Sequence, residues 1–198
     1  MSFCLYLSNE LIYIMENDVS AMEQKYYTDL FKSSYEKIKF SDFSNLFRLI
    51  QDIVKHFLKK TRPGILLGVI ELGFDRGNVV GGFHYVGTNE IYLNRTTLRM
   101  MEQESTIENF KAYVFFLLLH EYIHAVGIGD EALTRQLTTK ILLKIFESEH
   151  PLGLLALHGL NALFPYDFNM RTYKPTRKQL STREFLTIRH ADSEMTYI

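Results

Sequence analysis

Apolar positions recur at helical spacing over two early stretches, residues 19–38 and 42–60. In the second, Leu46, Phe47, Ile50, Ile53, Val54, Phe57 and Leu58 share one face, which predicts an amphipathic helix. Arg62-Pro63-Gly64 ends that helical region. Ile65 to Leu72 is aliphatic and partly β-branched, the pattern of a buried strand. Gly73, Gly77, Gly81, Gly82 and Gly87 then punctuate a turn-rich stretch. Within it Val79-Val80 and Phe83 to Val86 are expected to pair as short strands. Glu90 to Asn94 alternates polar and apolar, as a half-exposed strand does. Residues 1–17 fit strand and helix equally well.

Three helices are expected next. Ser105 and Glu108 make an S-x-x-E capping box, which starts a helix at about Thr106 and lets it run to Gly127. A second helix starts at Asp130 or Glu131 and ends near Ser148, with Leu133, Leu137, Ile141, Leu142 and Ile145 on its apolar face. A third starts at Pro151, where proline suits the first turn, and runs to about Leu163. Beyond Pro165 the chain turns polar and is expected to be a partly extended tail that wraps the domain or is loosely held, with Lys174 to Lys178 solvated.

Composition narrows the function classes. The chain has 198 residues, enough to bury a core. A net charge of −1 gives no electrostatic case for nucleic acid or an anionic membrane. Cys4 is the one cysteine, so an intramolecular disulfide and a cysteine-based zinc site are both ruled out. The first basic residue is Lys25, Glu10 and Glu16 interrupt the early apolar residues, and no run approaches a membrane span. The expected location is the cytoplasm, with a peptide or protein as the partner.

The chemistry concentrates at His120-Glu121-Tyr122-Ile123-His124, an HExxH sequence. On a helix, residues four apart lie one turn apart on one face, so His120 and His124 can offer two imidazole nitrogens to one ion. Glu121 then stands where a carboxylate can serve as general base toward water activated by that ion. A chance HExxH in a chain of this length has a probability on the order of one per cent. Phe115 to Leu119 precede the motif, so its helix is central and apolar. Two histidines and a glutamate there are costly unless something satisfies them, and one Zn²⁺ ion does so.

His120 to Asp130 reads HExxHxxGxxD, which resembles the extended zinc motif of metzincin-type metallopeptidases within the wider zincin group. The resemblance covers 11 residues. It implies His120, His124 and Asp130 as zinc ligands, Glu121 as base and a turn at Gly127. It departs from the pattern in carrying Asp where the third ligand is usually His. Asp before a helix is also a favoured N-cap, and Glu131 is then the alternative third ligand. Met170 is a candidate for the methionine turn of that group, or a packing residue. Gly81-Gly82-Phe83-His84 through Asn94 also looks like the edge strand that pairs with substrate in many zincins, and equally like an ordinary hairpin. The implied activity is zinc-dependent hydrolysis of peptide bonds.

Other residues carry weaker signals. His84 is either a cleft donor or a turn histidine. His158 reads as a packed core histidine, and His150 as a helix-start residue. Tyr113, Tyr122, Tyr166 and Tyr173 are candidates for a phenol that steadies an oxyanion. Glu131 and Arg135 are spaced as a surface ion pair. The expectation is one α+β domain, mostly helical and zincin-like, with a small mixed sheet preceding the active-site helix. Residues 1–61 form its helical first part, 62–163 the catalytic core and 164–198 the tail. Two rivals stand beside it: a metal-binding module or metal hydrolase without peptidase activity, and a helical interaction domain without metal.

Overall fold

The computed structural model describes residues 20–73, 80–163 and 183–186. In chain order its elements are α1 (Ala21–Lys37), α2 (Phe43–Leu58), β1 (Leu66–Ile70), β2 (Gly82–His84), β3 (Glu90–Asn94), α3 (Arg95–Glu104), α4 (Ile107–Ala125), α5 (Glu131–Ile145), α6 (Pro151–His158), a 3-10 turn (Leu160–Ala162) and β4 (Arg183–Leu186). The fold is α+β, with a small sheet among larger helices. Met170, Tyr166, Tyr173 and the Lys174 to Lys178 cluster lie outside the described residues.

Side-chain caps set the helix starts. Ser20, Asp42, Thr106, Asp130 and His150 each accept a backbone N–H from the first turn that follows. The α4 cap is therefore Thr106, one residue later than the capping box places it. Ser105 is engaged elsewhere: its hydroxyl donates to the Met101 carbonyl at 2.6 Å, closing the end of α3. The pattern gives no warning of α3. Its Thr96-Thr97 start has weak helix propensity, and the helix begins because the Asn94 side chain accepts the Thr96 N–H at 3.1 Å. Helix α6 stops short of Leu163, because Gly159 takes a positive φ of 68° and breaks the spiral.

The sheet order is β2-β3-β1-β4. β1 and β3 are parallel, with Gly68 opposite Tyr92. β2 runs antiparallel to β3, with Phe83 opposite Tyr92. Among the described residues β2 takes β3 as its partner; Val80 is in no strand, and Val79 lies outside the described residues. β4 comes from the stretch expected to be a polar tail and adds antiparallel to β1, so the sheet is not built wholly before α4. Ile91 to Asn94 of β3 are buried on both faces, in place of the half-exposed strand the alternation predicts. Tyr92 is covered by Phe83, stacked at 5.4 Å, and Asn94 has four hydrogen bonds to satisfy it.

Helix α4 is the centre of the molecule and packs on α2, α3, α5, α6, β2 and β3. From Ala112 to Ala125 every residue is buried except Phe116, Leu117, His120 and His124. Those four share one face, because 116, 120 and 124 are successive steps of four. Burying side chains such as Leu118, Leu119 and Ile123 stabilises this placement by about 1.5–3 kcal/mol each. The apolar surroundings hold the helix, and the one stripe they leave open carries the motif. No helix among the described residues is long and apolar enough to cross a membrane.

Candidate metal centre

A cleft of about 780 Å³ runs between α4, β2, α5 and α6. His120, Glu121 and His124 reach it from α4, Gly82 and His84 from β2, and Glu131 and Arg135 from α5. His120 and His124 side chains are 13% and 17% exposed, open enough to meet a ligand from the cleft.

The turn after α4 brings a carboxylate back to the histidines. Gly127 has a φ of 99°, which residues with a side chain rarely adopt, and the chain reverses there. Asp130, which the metzincin-like spacing puts in the third ligand position, caps α5: its Oδ1 accepts the Leu133 N–H at 2.8 Å. The carboxylate that stands among the histidine nitrogens is the alternative, Glu131. Its Oε2 lies 3.0 Å from His124 Nε2 and 3.4 Å from His120 Nε2. The helix start explains the exchange. Asp is short and bonds its own first turn, while Glu one position later points from that turn into the cleft. Among the described residues, His120, His124 and Glu131 form a group with one ligand atom each, all within 4.8 Å of one another.

His124 and Glu131 are each oriented by a neighbour. His124 Nδ1 donates to the Ile128 carbonyl at 2.7 Å, which fixes the ring with Nε2 turned to Glu131 Oε2. Thr134 donates to the same carbonyl at 3.1 Å. Glu131 Oε1 accepts from Arg135 Nε at 2.7 Å, the ion pair the spacing predicts. Burial pushes the His120 pKa down, with Glu131 opposing, so its neutral, ligating form is favoured. For Glu131, burial works upward but is outweighed by Arg135 and the two histidines, and its pKa falls.

Glu121 is 6% exposed. Burial pushes its pKa up to about 7, while His124 and the His84 backbone amide pull the other way. A carboxyl poised near neutrality can both accept and return a proton. His84 itself lines the cleft and is no surface-turn residue. Its Nδ1 donates to the Glu90 carbonyl at 3.0 Å, and burial lowers its pKa.

The remaining candidates separate cleanly. Tyr113 lines the cleft, and burial drives its pKa far up. Tyr122 faces away, with its hydroxyl accepting the Arg62 N–H at 3.0 Å and its ring edge-on to Phe47. His158 is exposed, contrary to a core role, because α6 ends beneath it. Arg62 lines the cleft although the sequence marked it only as a helix stop, and no local pattern announces it. Comparison with family models, characterised proteins and solved structures gave no match to this chain.

Proposed function

We propose that the chain is a zinc-dependent hydrolase of peptide bonds, with His120, His124 and Glu131 as ligands and Glu121 as the base. The observation that carries this reading is the closeness of one Glu131 oxygen to both histidine Nε2 atoms, in a group of three donor atoms within 4.8 Å of one another. Four-coordinate zinc with ligands at about 2.0–2.1 Å sets neighbouring ligand atoms roughly 3.3 Å apart. The Glu131 oxygen stands 3.0 and 3.4 Å from the two Nε2 atoms. Three protein donors with an open side toward the cleft is the catalytic pattern, and two imidazoles with one carboxylate suit zinc. Zinc bound there would polarise the scissile carbonyl and lower the pKa of water to near neutrality.

Glu121 removes the proton from attacking water and passes it to the leaving amine. Its side chain lies against β2, where a Cβ added to Gly82 would come within 3.5 Å of Glu121 Cγ. β2 supplies the substrate platform. Gly81 bonds across to Asn94, so by antiparallel alternation Gly82 and His84 direct their N–H and C=O groups away from β3; the His84 N–H serves Glu121, and the Gly82 groups with the His84 carbonyl form the edge. An extended peptide can add to that edge by backbone hydrogen bonds.

Digestion of a denatured protein mixture by the zinc-loaded chain tests the reading. Cleavage is expected, with a loss of at least about 10²-fold in Glu121→Gln while zinc content is kept. Equal turnover in that variant assigns the base to another group.

A further inference from the structure

Four charged side chains line the cleft: Arg62, Glu121, Glu131 and Arg135. Glu131 and Arg135 pair with each other, and Glu121 is assigned to the chemistry. Arg62 is left. Its Nε donates to Asn89 Oδ1 at 2.8 Å and its Nη1 to the Ala125 carbonyl at 2.8 Å. Both acceptors are neutral, and among the described residues no carboxylate pairs with this guanidinium. The fork is thus fixed in place with donors to spare, and among the described residues its charge is met by the C-terminal end of α4 and by no carboxylate. That charge acts on the cleft wall, since it helps hold the His84 pKa down after burial and against the Glu90 carbonyl.

The position of Arg62 along the groove is also fixed. Gly81 lies against Tyr113 and Leu117, one end of the groove, and Gly82 against Glu121. Arg62 sits at the other end, where Ala125 closes α4 and Asn89 closes the hairpin after His84. The first end is apolar where Leu117 stands beside Gly81, and Phe116, Leu155 and Leu160 add to the apolar lining of the cleft. The second is cationic. A peptide added antiparallel to β2, the more stable pairing, runs from the His84 end to the Gly82 end. Its N-terminal part therefore meets Arg62, and its C-terminal part meets the apolar wall.

Resting on the peptidase reading, we propose that Arg62 is a specificity-determining residue, which binds the carboxylate of an Asp or Glu side chain upstream of the scissile bond. A pre-organised guanidinium can take such a carboxylate through two parallel hydrogen bonds. The groove then selects peptides that are acidic before the cut and apolar after it.

Mapping cut sites in a denatured protein digest by mass spectrometry tests this in the wild type without any substitution. The expected result is an enrichment of Asp and Glu before the cut of about tenfold, equal to about 1.4 kcal/mol. Arg62→Met should abolish the enrichment and Arg62→Lys should keep part of it. Cut-site frequencies do not depend on how much folded enzyme each variant yields, so a purely structural role of Arg62 leaves them unchanged. Cutting without acidic enrichment, or with enrichment that survives Arg62→Met, overturns the proposal and leaves the peptidase reading standing. Calorimetry on zinc-loaded Glu121→Gln supplies a readout free of turnover. Its probes are a capped pentapeptide with glutamate second and leucine fourth, and the glutamine twin. Tighter binding of the glutamate peptide, lost when Arg62→Met is added, supports the subsite even if wild type cuts nothing and the peptidase reading fails. Equal binding of the two peptides overturns it.

Discussion

Glu131 and Arg135 lie one turn apart on α5, and the pair divides the carboxylate between two tasks. Oε1 accepts from Arg135 Nε at 2.7 Å, while Oε2 faces the two histidines. Glu131 is 52% exposed, so without this tie it would have to be ordered from many rotamers on binding a metal. Arg135→Ala should weaken zinc binding by about 10–100-fold, the usual cost of losing a group that orients a ligand. Arg135→Lys should recover part of it. Competition against a chelator of known affinity measures both, and unchanged affinity in Arg135→Ala would show that Glu131 needs no such support.

The Glu121 carboxyl predicts a pH dependence in the metal-free protein. Its folded pKa, about 7, lies above the ordinary carboxylate value. A raised folded pKa means the contribution to stability is fully present below the unfolded pKa and is lost as pH rises to about 7. The loss is on the order of 3 kcal/mol at most. Glu121→Gln removes it, so the difference in Tm between variant and wild type should grow from pH 5 to pH 8. Zinc should shrink that difference, because a nearby cation favours the carboxylate. A Tm difference that stays flat with pH in the metal-free proteins would contradict the burial of this group.

Asn94 ties β3 to both ends of the loop that precedes β2. Its Nδ2 donates to the Gly73 and Val80 carbonyls, both at 2.8 Å, and its Oδ1 accepts from Leu72 N at 3.2 Å and Thr96 N at 3.1 Å. The residue is fully buried. Asn94→Ala should cost about 3 kcal/mol or more, since it strands several buried backbone groups. Asn94→Asp keeps the acceptor and turns a carboxylate toward two carbonyls, so it should also destabilise strongly. Denaturant unfolding reads both, and a loss under about 0.5 kcal/mol, typical of surface changes, would contradict this role.

Much of this arrangement is legible in the sequence because it rests on local periodicity. α2, α4 and α5 follow apolar spacings that no neighbour overrides, and the HExxH stripe falls on the single open face of α4. The misplacements have tertiary causes. Ser105 is drawn away from its expected cap by the end of α3, and α3 itself depends on Asn94, whose side chain is fixed by a distant loop. β3 looks half-exposed until Phe83 covers Tyr92. Asp130 and Glu131 are adjacent, and only the direction of the first turn of α5 separates a cap from a cleft carboxylate. Arg62 enters the cleft through contacts about 27 and 63 positions away in the chain, which no window of sequence displays.

The central claim is a zinc site built from His120, His124 and Glu131, and zinc titration by calorimetry with elemental analysis tests it most directly. Wild type should bind one ion per chain, and His120→Ala, His124→Ala and Glu131→Gln should each lose most of that affinity. Asp130→Asn should keep it, since asparagine still caps α5. Failure of wild type to bind zinc would contradict the account, as would full binding by the His120→Ala/His124→Ala double variant. A loss confined to Asp130→Asn, with Glu131→Gln unaffected, would return the third ligand to Asp130.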